Sequence, residues 1–261
     1  MRRSPPPFAL GLTPALLAFA TACVPVGLNA GHPGASGGGP AKRRLVHVDH
    51  VDPLKATQFE EARRQLLADY AARSLNEGAT TVIETKDDDG RPEFLSLRPF
   101  GAYAEIDRLN DAAAARAVAL GKELDRLDAM THATLVPPHT NEIWLLHEDL
   151  SYAPAAAPRE GDATAARIVE ETVAPTGTGE YEKAVKGVVE ALGRTRSPLA
   201  RLGFTSCYGT GEYVTLWLAR SPAEIEALGA GEVAGAIERA RAVAVKSATR
   251  VAFVRRELST P

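Results

Sequence analysis

Chemistry that needs converging ligands has few starting points in this chain. Of its six histidines, His47 and His50 lie in the run Leu45 to Pro53 (LVHVDHVDP), with Asp49 between them. Imidazole and carboxylate donors of this kind suit a divalent transition metal. The run alternates apolar and polar residues, as a strand does, and successive side chains on a strand point to opposite faces. Residues three apart therefore diverge, so His47 and His50 do not grip one ion together. His47 shares a face with Leu45, Asp49 and Val51, and His50 shares the other with Val46 and Val48. A site made by His47 and His147 would need the late strand Glu142 to Glu148 (EIWLLHE) to lie beside the first. Partly exposed or hydrogen-bonded histidines are the simpler expectation, and no metal is assigned. His132 at a helix end, His139 in a loop and His32 in a polar stretch read as incidental.

Other reactive groups are equally isolated. Cys207 would need a base to act as a nucleophile, and no histidine follows His147. A small core residue on a strand is the better reading. Asp87-Asp88-Asp89-Gly90 lacks the alternation of a calcium loop, whereas Asp-Gly suits a tight hairpin. Thr176-Gly177-Thr178-Gly179 lacks the Gly-Lys-Ser/Thr of a phosphate loop. Arg98 and Arg220 end hairpin strands, where they could hold an anion or pair with Glu105 and Glu224; pairing is favoured. Local motifs yield no Ser-His-Asp set.

The elements that must carry these residues occur twice. Asp52-Pro53 launches a helix with Phe59, Ala62, Leu66 and Tyr70 on one stripe. Arg167 to Pro175 (RIVEETVAP) and Tyr181, Ala184, Val188 and Leu192 repeat the pattern at an offset of 122 (53 to 175, 59 to 181, 70 to 192). Around these, strands are expected at Thr80 to Thr85, Glu93 to Arg98 and Glu142 to Glu148, with a helix over Ala104 to Met130. The second copy is expected to place strands at Phe204 to Tyr208, Tyr213 to Arg220 and Arg250 to Arg255, and a helix over Ala223 to Lys246. Each copy reads β-α-β-β-α-β, the ferredoxin-like order. Asp49 of the first copy aligns with Glu171 of the second, and Arg98 with Arg220 at the same offset.

A sheet with both helices on one face leaves its other face bare, and two such sheets can cover one another. In order and spacing, residues 44 to 258 resemble the dimeric α+β barrel superfamily in tandem form. It includes antibiotic-biosynthesis monooxygenases, haem-degrading oxygenases and NIPSNAP-like proteins. The resemblance implies an α+β fold, with two ferredoxin-like repeats packed sheet to sheet as an intrachain pseudo-dimer. It also implies a monomer, and a ligand site in the lumen between the sheets. The candidates for lining that lumen are His47, Asp49, Trp144, His147, Glu171, Arg98 and Arg220. The expected ligand is a small apolar molecule or a partner protein, bound without catalysis and without a cofactor. The alternative is an oxygenase working in the lumen, with haem as the cofactor the resemblance would allow. Catalytic residues are not assigned.

The address is written at the start. Arg2 and Arg3 precede an apolar run, Phe8 to Ala22, that is too short to span a bilayer and ends in small residues. Leu16 to Cys23 (LLAFATAC) resembles the lipobox of bacterial lipoprotein signals, with Cys23 as the lipidated residue. Ala20 stands where leucine is commoner, and a plain secreted protein cut at the same bond is the alternative. Residues 1–22 are then the signal peptide and 23–43 a flexible tether, which includes the Gly/Pro-rich NAGHPGASGGGPAK. Residues 44–153 form the first repeat, 154–163 a linker and 164–261 the second repeat. Lipid anchoring would hold the protein to the cell envelope through its membrane. The net charge of −3 comes without a basic, aromatic-studded patch, so no nucleic-acid partner is expected. With two cysteines in 261 residues, a disulfide scaffold is excluded.

Overall fold

The computed structural model describes residues 41–75, 78–207 and 212–260. The signal segment, Cys23, the tether up to residue 40 and the Gly209-Thr210-Gly211 turn lie outside the described residues.

The first repeat opens with β1 (Arg43–His50). Asp52 then accepts a hydrogen bond from the Leu54 amide at 3.0 Å, and Pro53 starts the turn that leads into α1 (Ala56–Ala72). β2 (Thr81–Lys86) and β3 (Pro92–Phe100) form the expected hairpin. Gly90 supplies its positive φ of 78°. Asp87 organises the turn: its carboxylate accepts from the amides of Asp89 and Arg91, both at 2.9 Å, and from Arg91 Nε at 2.7 Å. The guanidinium of Arg91 thus supplies the positive charge beside these aspartates.

The single helix expected over Ala104 to Met130 is two: α2 (Ala104–Leu120) and α3 (Lys122–His132). They break at Gly121, whose φ of 55° is a conformation glycine takes without strain. β4 (Thr140–Tyr152) completes the repeat. The second repeat follows the same plan with β5 (Ala165–Thr172), α4 (Thr178–Thr195), β6 (Ala200–Ser206) and β7 (Glu212–Ala219). Its last helix also divides, into α5 (Pro222–Glu226) and α6 (Gly231–Arg241), with Gly231 at a φ of 71°. The chain then enters β8 (Lys246–Val254) earlier than the alternation suggested.

Each repeat contributes a four-stranded antiparallel sheet, ordered β4-β1-β3-β2 and β8-β5-β7-β6. The sheets do not merely face one another. β2 bonds to β8 and β6 to β4, closing one eight-stranded barrel with no open edge. The helices lie outside, α1 packing on α3 and α4 on α6, and α4 also leans over β4 of the first repeat.

The registers refine the internal match. Leu45 pairs with Arg98, while its counterpart Arg167 pairs with Trp217. The offset from β3 to β7 is therefore 119 (98 to 217), and Arg98 corresponds to Trp217 rather than to Arg220. Arg220 corresponds to Gly101, and both use one device: the Gly101 amide donates to Glu105 at 2.9 Å and the Arg220 amide to Glu224 at 2.8 Å. Glu105 and Glu224, expected to pair with the side chains of Arg98 and Arg220, thus accept from backbone amides, and the two guanidinium groups turn to Thr80 and to the Ala156 carbonyl. From β4 to β8 the offset falls to 108, since His47 pairs with Asn141 and Val169 with Thr249. The difference, 119 less 108, leaves eleven extra residues in the α2 region of the first repeat. That is about three helical turns, so the same face still meets the sheet.

Candidate functional site

The barrel interior is filled. Val46, Val48, Ile83, Leu95, Leu97, Trp144, Ile168, Phe204, Val214, Leu216 and Leu218 interdigitate there and are all buried. Eight strands make a barrel just wide enough for such side chains. Both mouths are covered as well. At one, the inter-repeat linker lays Ala157 and Ala163 on the core, and Arg44 grips Glu160 with Nε 3.0 Å from both carboxylate oxygens and Nη2 at 2.7 Å from Oε1. At the other, Arg250 bridges Glu93 and Glu170, and Trp144 Nε1 donates to Glu142 at 2.8 Å. Burial raises the pKa of Glu170; nearby Glu93 and Glu142 add to the rise, while Arg250 opposes it.

The expectation of a ligand-lined lumen is therefore corrected. Of its candidates only Trp144 points inward, and it is 2% exposed as part of the packing. The inward strand parity belongs to Val46 and Val48, which puts His47 and Asp49 on the outer, helix-covered side. Glu171 and His147 are also on outer faces. Arg98 is on the outside of β3, where its Nε donates to Thr80 Oγ1 at 3.2 Å. Arg220 sits exposed near the linker and donates to the Ala156 carbonyl. The residues could not be sorted from alternation alone because both faces of each strand are covered.

His47 and His147 do not meet. The first and last strands of the repeat are neighbours, as expected, but the antiparallel register sets His47 opposite Asn141. His147 is six residues further on, roughly 20 Å along the strand, and its Nε2 lies 2.9 Å from Thr205 Oγ1.

What does surround His47 is a polar cluster on the outer face of the first repeat. Its Nε2 lies 3.0 Å from Asp49 Oδ1, and its Nδ1 lies 2.9 Å from Asn141 Oδ1. The β1–β4 ladder ends at Val48 with Thr140, so the next step brings His139 beside Asp49. The His47 and His139 rings stand edge to face with centroids 5.7 Å apart, and the His132 ring lies 6.5 Å from His139. His132 Nδ1 is itself held by the Asp128 carbonyl at 2.9 Å. Burial pulls the pKa of His47 down, but the bond and charge of Asp49, helped by Asn141, outweigh it, and the net shift is upward. Reading His139 as incidental missed this grouping. The signal was available in the register: once the end strands pair, Asp49 and His139 fall opposite each other.

The second repeat carries a different arrangement at the matching place. A cavity of about 30 Å³ lies between the sheet and helices α4 and α6, lined in part by Glu171, Arg201, Thr215 and Trp217. Tyr181 donates to Glu171 Oε2 at 2.5 Å, and Arg201 donates to Thr215 Oγ1 at 2.9 Å and to the Leu150 carbonyl. Burial drives the Tyr181 hydroxyl well above its ordinary pKa, with Glu171 adding to the rise, and lowers that of the fully enclosed Arg201. Gly203 lets β4 approach here, since a Cβ would meet the Leu150 carbonyl at 2.8 Å. A space of this size holds about one water. Haem-sized ligands need several hundred Å³, and neither this cavity nor the filled barrel provides that room beside a histidine. The residues at these two places do not fit a haem.

Tyr103 and Cys207 also approach, with the hydroxyl 3.7 Å from Sγ. Among the described residues no helix is long and apolar enough to cross a membrane.

No family model matches the chain, and no curated protein matches it. In structure it is similar to a proposed monooxygenase from Fusobacterium nucleatum subsp. nucleatum, at 11% identity over 81% of this chain and 91% of that one, with a TM-score of 0.59. It is also similar to a proposed monooxygenase from Lactobacillus acidophilus, at 9% identity over 82% and 94%, with a TM-score of 0.54. A chlorite dismutase variant from Candidatus Nitrospira defluvii in complex with cyanide matches at 7% identity over 84% and 92%, with a TM-score of 0.50. At such identities the likeness concerns the fold. The chain has the dimeric α+β barrel fold, with both halves of the barrel supplied by one polypeptide.

Proposed function

We propose that this protein is a membrane-tethered binding protein of the bacterial envelope, held by a lipid on Cys23 and working as a monomer through the outer surface of its barrel. The observation that carries this reading is the packed interior with both mouths covered. A barrel so filled has no room to enclose a small apolar ligand, so recognition falls to the outside. The lipobox-like segment supports this address, and a Gly/Pro-rich stretch separates Cys23 from the barrel in the sequence. The test is detergent-phase partitioning of the full chain expressed in a bacterium that processes lipoproteins. Partition into the detergent phase, lost in Cys23→Ser, supports the reading. A wild-type chain that stays in the aqueous phase contradicts it.

A second reading is an oxygenase, supported by fold likeness to two proteins described as proposed monooxygenases. Titration with haem separates the two. A saturable Soret shift lost in His147→Ala favours the oxygenase, and its absence favours the binding protein.

A further inference from the structure

We propose that His47, Asp49 and His139 form a binding site for one divalent transition-metal ion on the outer face of the first repeat. Each residue offers one ligand atom, and these atoms all lie within 4.8 Å of one another. Ligand atoms around a tetrahedral zinc-class ion, at about 2.0–2.2 Å from the metal, are roughly 3.3 Å apart. The separation between His47 and Asp49 is already 3.0 Å. The remaining adjustment falls to His139, which is exposed at the end of the loop after α3. Two imidazoles and a carboxylate are donors shared by zinc and its first-row neighbours.

The surroundings are those of a ligand set. Asn141 Oδ1 is an acceptor, so His47 Nδ1 must donate to it, and this directs Nε2 at Asp49. An outer partner that fixes the tautomer of a histidine in this way is the usual support of a metal ligand. With Nε2 and the Asp49 carboxylate only 3.0 Å apart, a positive charge is called for at that point, and a metal ion can supply it in place of the Nε2 proton. Asp49 is buried at the base, whereas His47 is half-buried and His139 exposed. Three protein ligands would therefore leave the outward coordination positions to water or to a further ligand.

The second repeat shows that this set is not a by-product of the fold. At the positions of His47 and His139 it carries Val169 and Ser247, by the offsets of 122 and 108. At the position of Asp49 it carries Glu171, which Tyr181 satisfies. Phe59 replaces that tyrosine in the first repeat and packs on Phe94 instead. It has no hydroxyl to offer, so Asp49 keeps its oxygens for the histidine side.

The test is titration of the untagged, metal-stripped full chain with Zn²⁺ against a chromogenic chelator, and with Co²⁺ followed by visible absorption. The expected result is one equivalent bound, with Co²⁺ d–d bands and no thiolate charge-transfer band. His139→Ala, an exposed change outside the core, should weaken Zn²⁺ binding at least about tenfold, the scale that even outer-shell partners command. Asp49→Asn should do likewise. His132→Ala and Cys207→Ser should leave it unchanged. Folded wild-type protein that binds no stoichiometric Zn²⁺ overturns the proposal. So does an affinity unaltered by His139→Ala, or one abolished by Cys207→Ser.

Discussion

Asp49 and Glu171 stand at the same position of the two repeats, both buried on the outer faces of their sheets, and each is satisfied by a different partner. Asp49 faces the imidazole of His47 at 3.0 Å, and Glu171 accepts from the Tyr181 hydroxyl at 2.5 Å. One ancestral place in the unit thus supports a solvent-facing cluster in one copy and an enclosed bond in the other.

The enclosed bond should be measurable. Tyr181→Phe leaves Glu171, which is buried, without its donor. A hydrogen bond to a charged group contributes about 1.5–3 kcal/mol, and the variant should lose stability on that scale in urea unfolding. A loss below about 0.5 kcal/mol would mean that water replaces the hydroxyl without penalty.

Arg250 holds two carboxylates of the barrel mouth, one of them, Glu93, only 3% exposed. Removing one partner of such a buried arrangement costs about 3–5 kcal/mol, because a charge is left uncompensated. Arg250→Ala should be destabilised by about that amount, and by less in a Glu93→Gln background, where one of the stranded charges is absent. Equal losses in the two backgrounds would show that Glu93 is not coupled to Arg250.

The hairpin aspartate gives a pH dependence. Burial disfavours the charge of Asp87, but the amides of Arg91 and Asp89 and the Arg91 guanidinium outweigh it, so its pKa lies below the ordinary 3.8. A depressed carboxylate stabilises the fold fully above that value, and the contribution disappears as pH falls through the folded pKa. His50 also faces Asp87, with Nδ1 3.5 Å from Oδ2. The comparison is therefore made in a His50→Gln background. Asp87→Ala should lower the urea midpoint at pH 7, and the gap should close as pH falls below 3.8. A gap that persists at low pH would mean that the stabilisation comes from the turn shape and not from the charge.

Much of this architecture is legible in the residues themselves. The 122-residue echo from Pro53 to Pro175 and from Phe59 to Tyr181 announces the duplicated unit, and the bare face of a ferredoxin-like sheet demands a second sheet. Gly121 and Gly231 break helices that their apolar periodicity would carry through, since φ values of 55° and 71° interrupt the turn without altering the stripe. The site was less readable for a physical reason. The expected neighbours of His47 depended on register, and alternation fixes a face but not the opposing residue. His147 looked available and His139 did not, although the β1–β4 register sets His147 six residues past the partner of His47 and brings His139 beside Asp49. Arg201 was visible only as a lone charge in the apolar run Leu199 to Phe204, and its burial follows from the crossing of β4 over Gly203.

Leu97, Trp144, Phe204 and Leu216 pack inside the barrel, and the proposed recognition at its outer surface rests on that packing. Crystals of the protein pressurised with xenon test this directly, because apolar voids in proteins take up the gas. No xenon is expected among Leu97, Trp144, Phe204 and Leu216 in the wild type. A bound atom is expected there in Phe204→Ala, together with a loss of about 3–5 kcal/mol from the cavity created. Xenon inside the wild-type barrel would reveal an apolar chamber and overturn the filled interior.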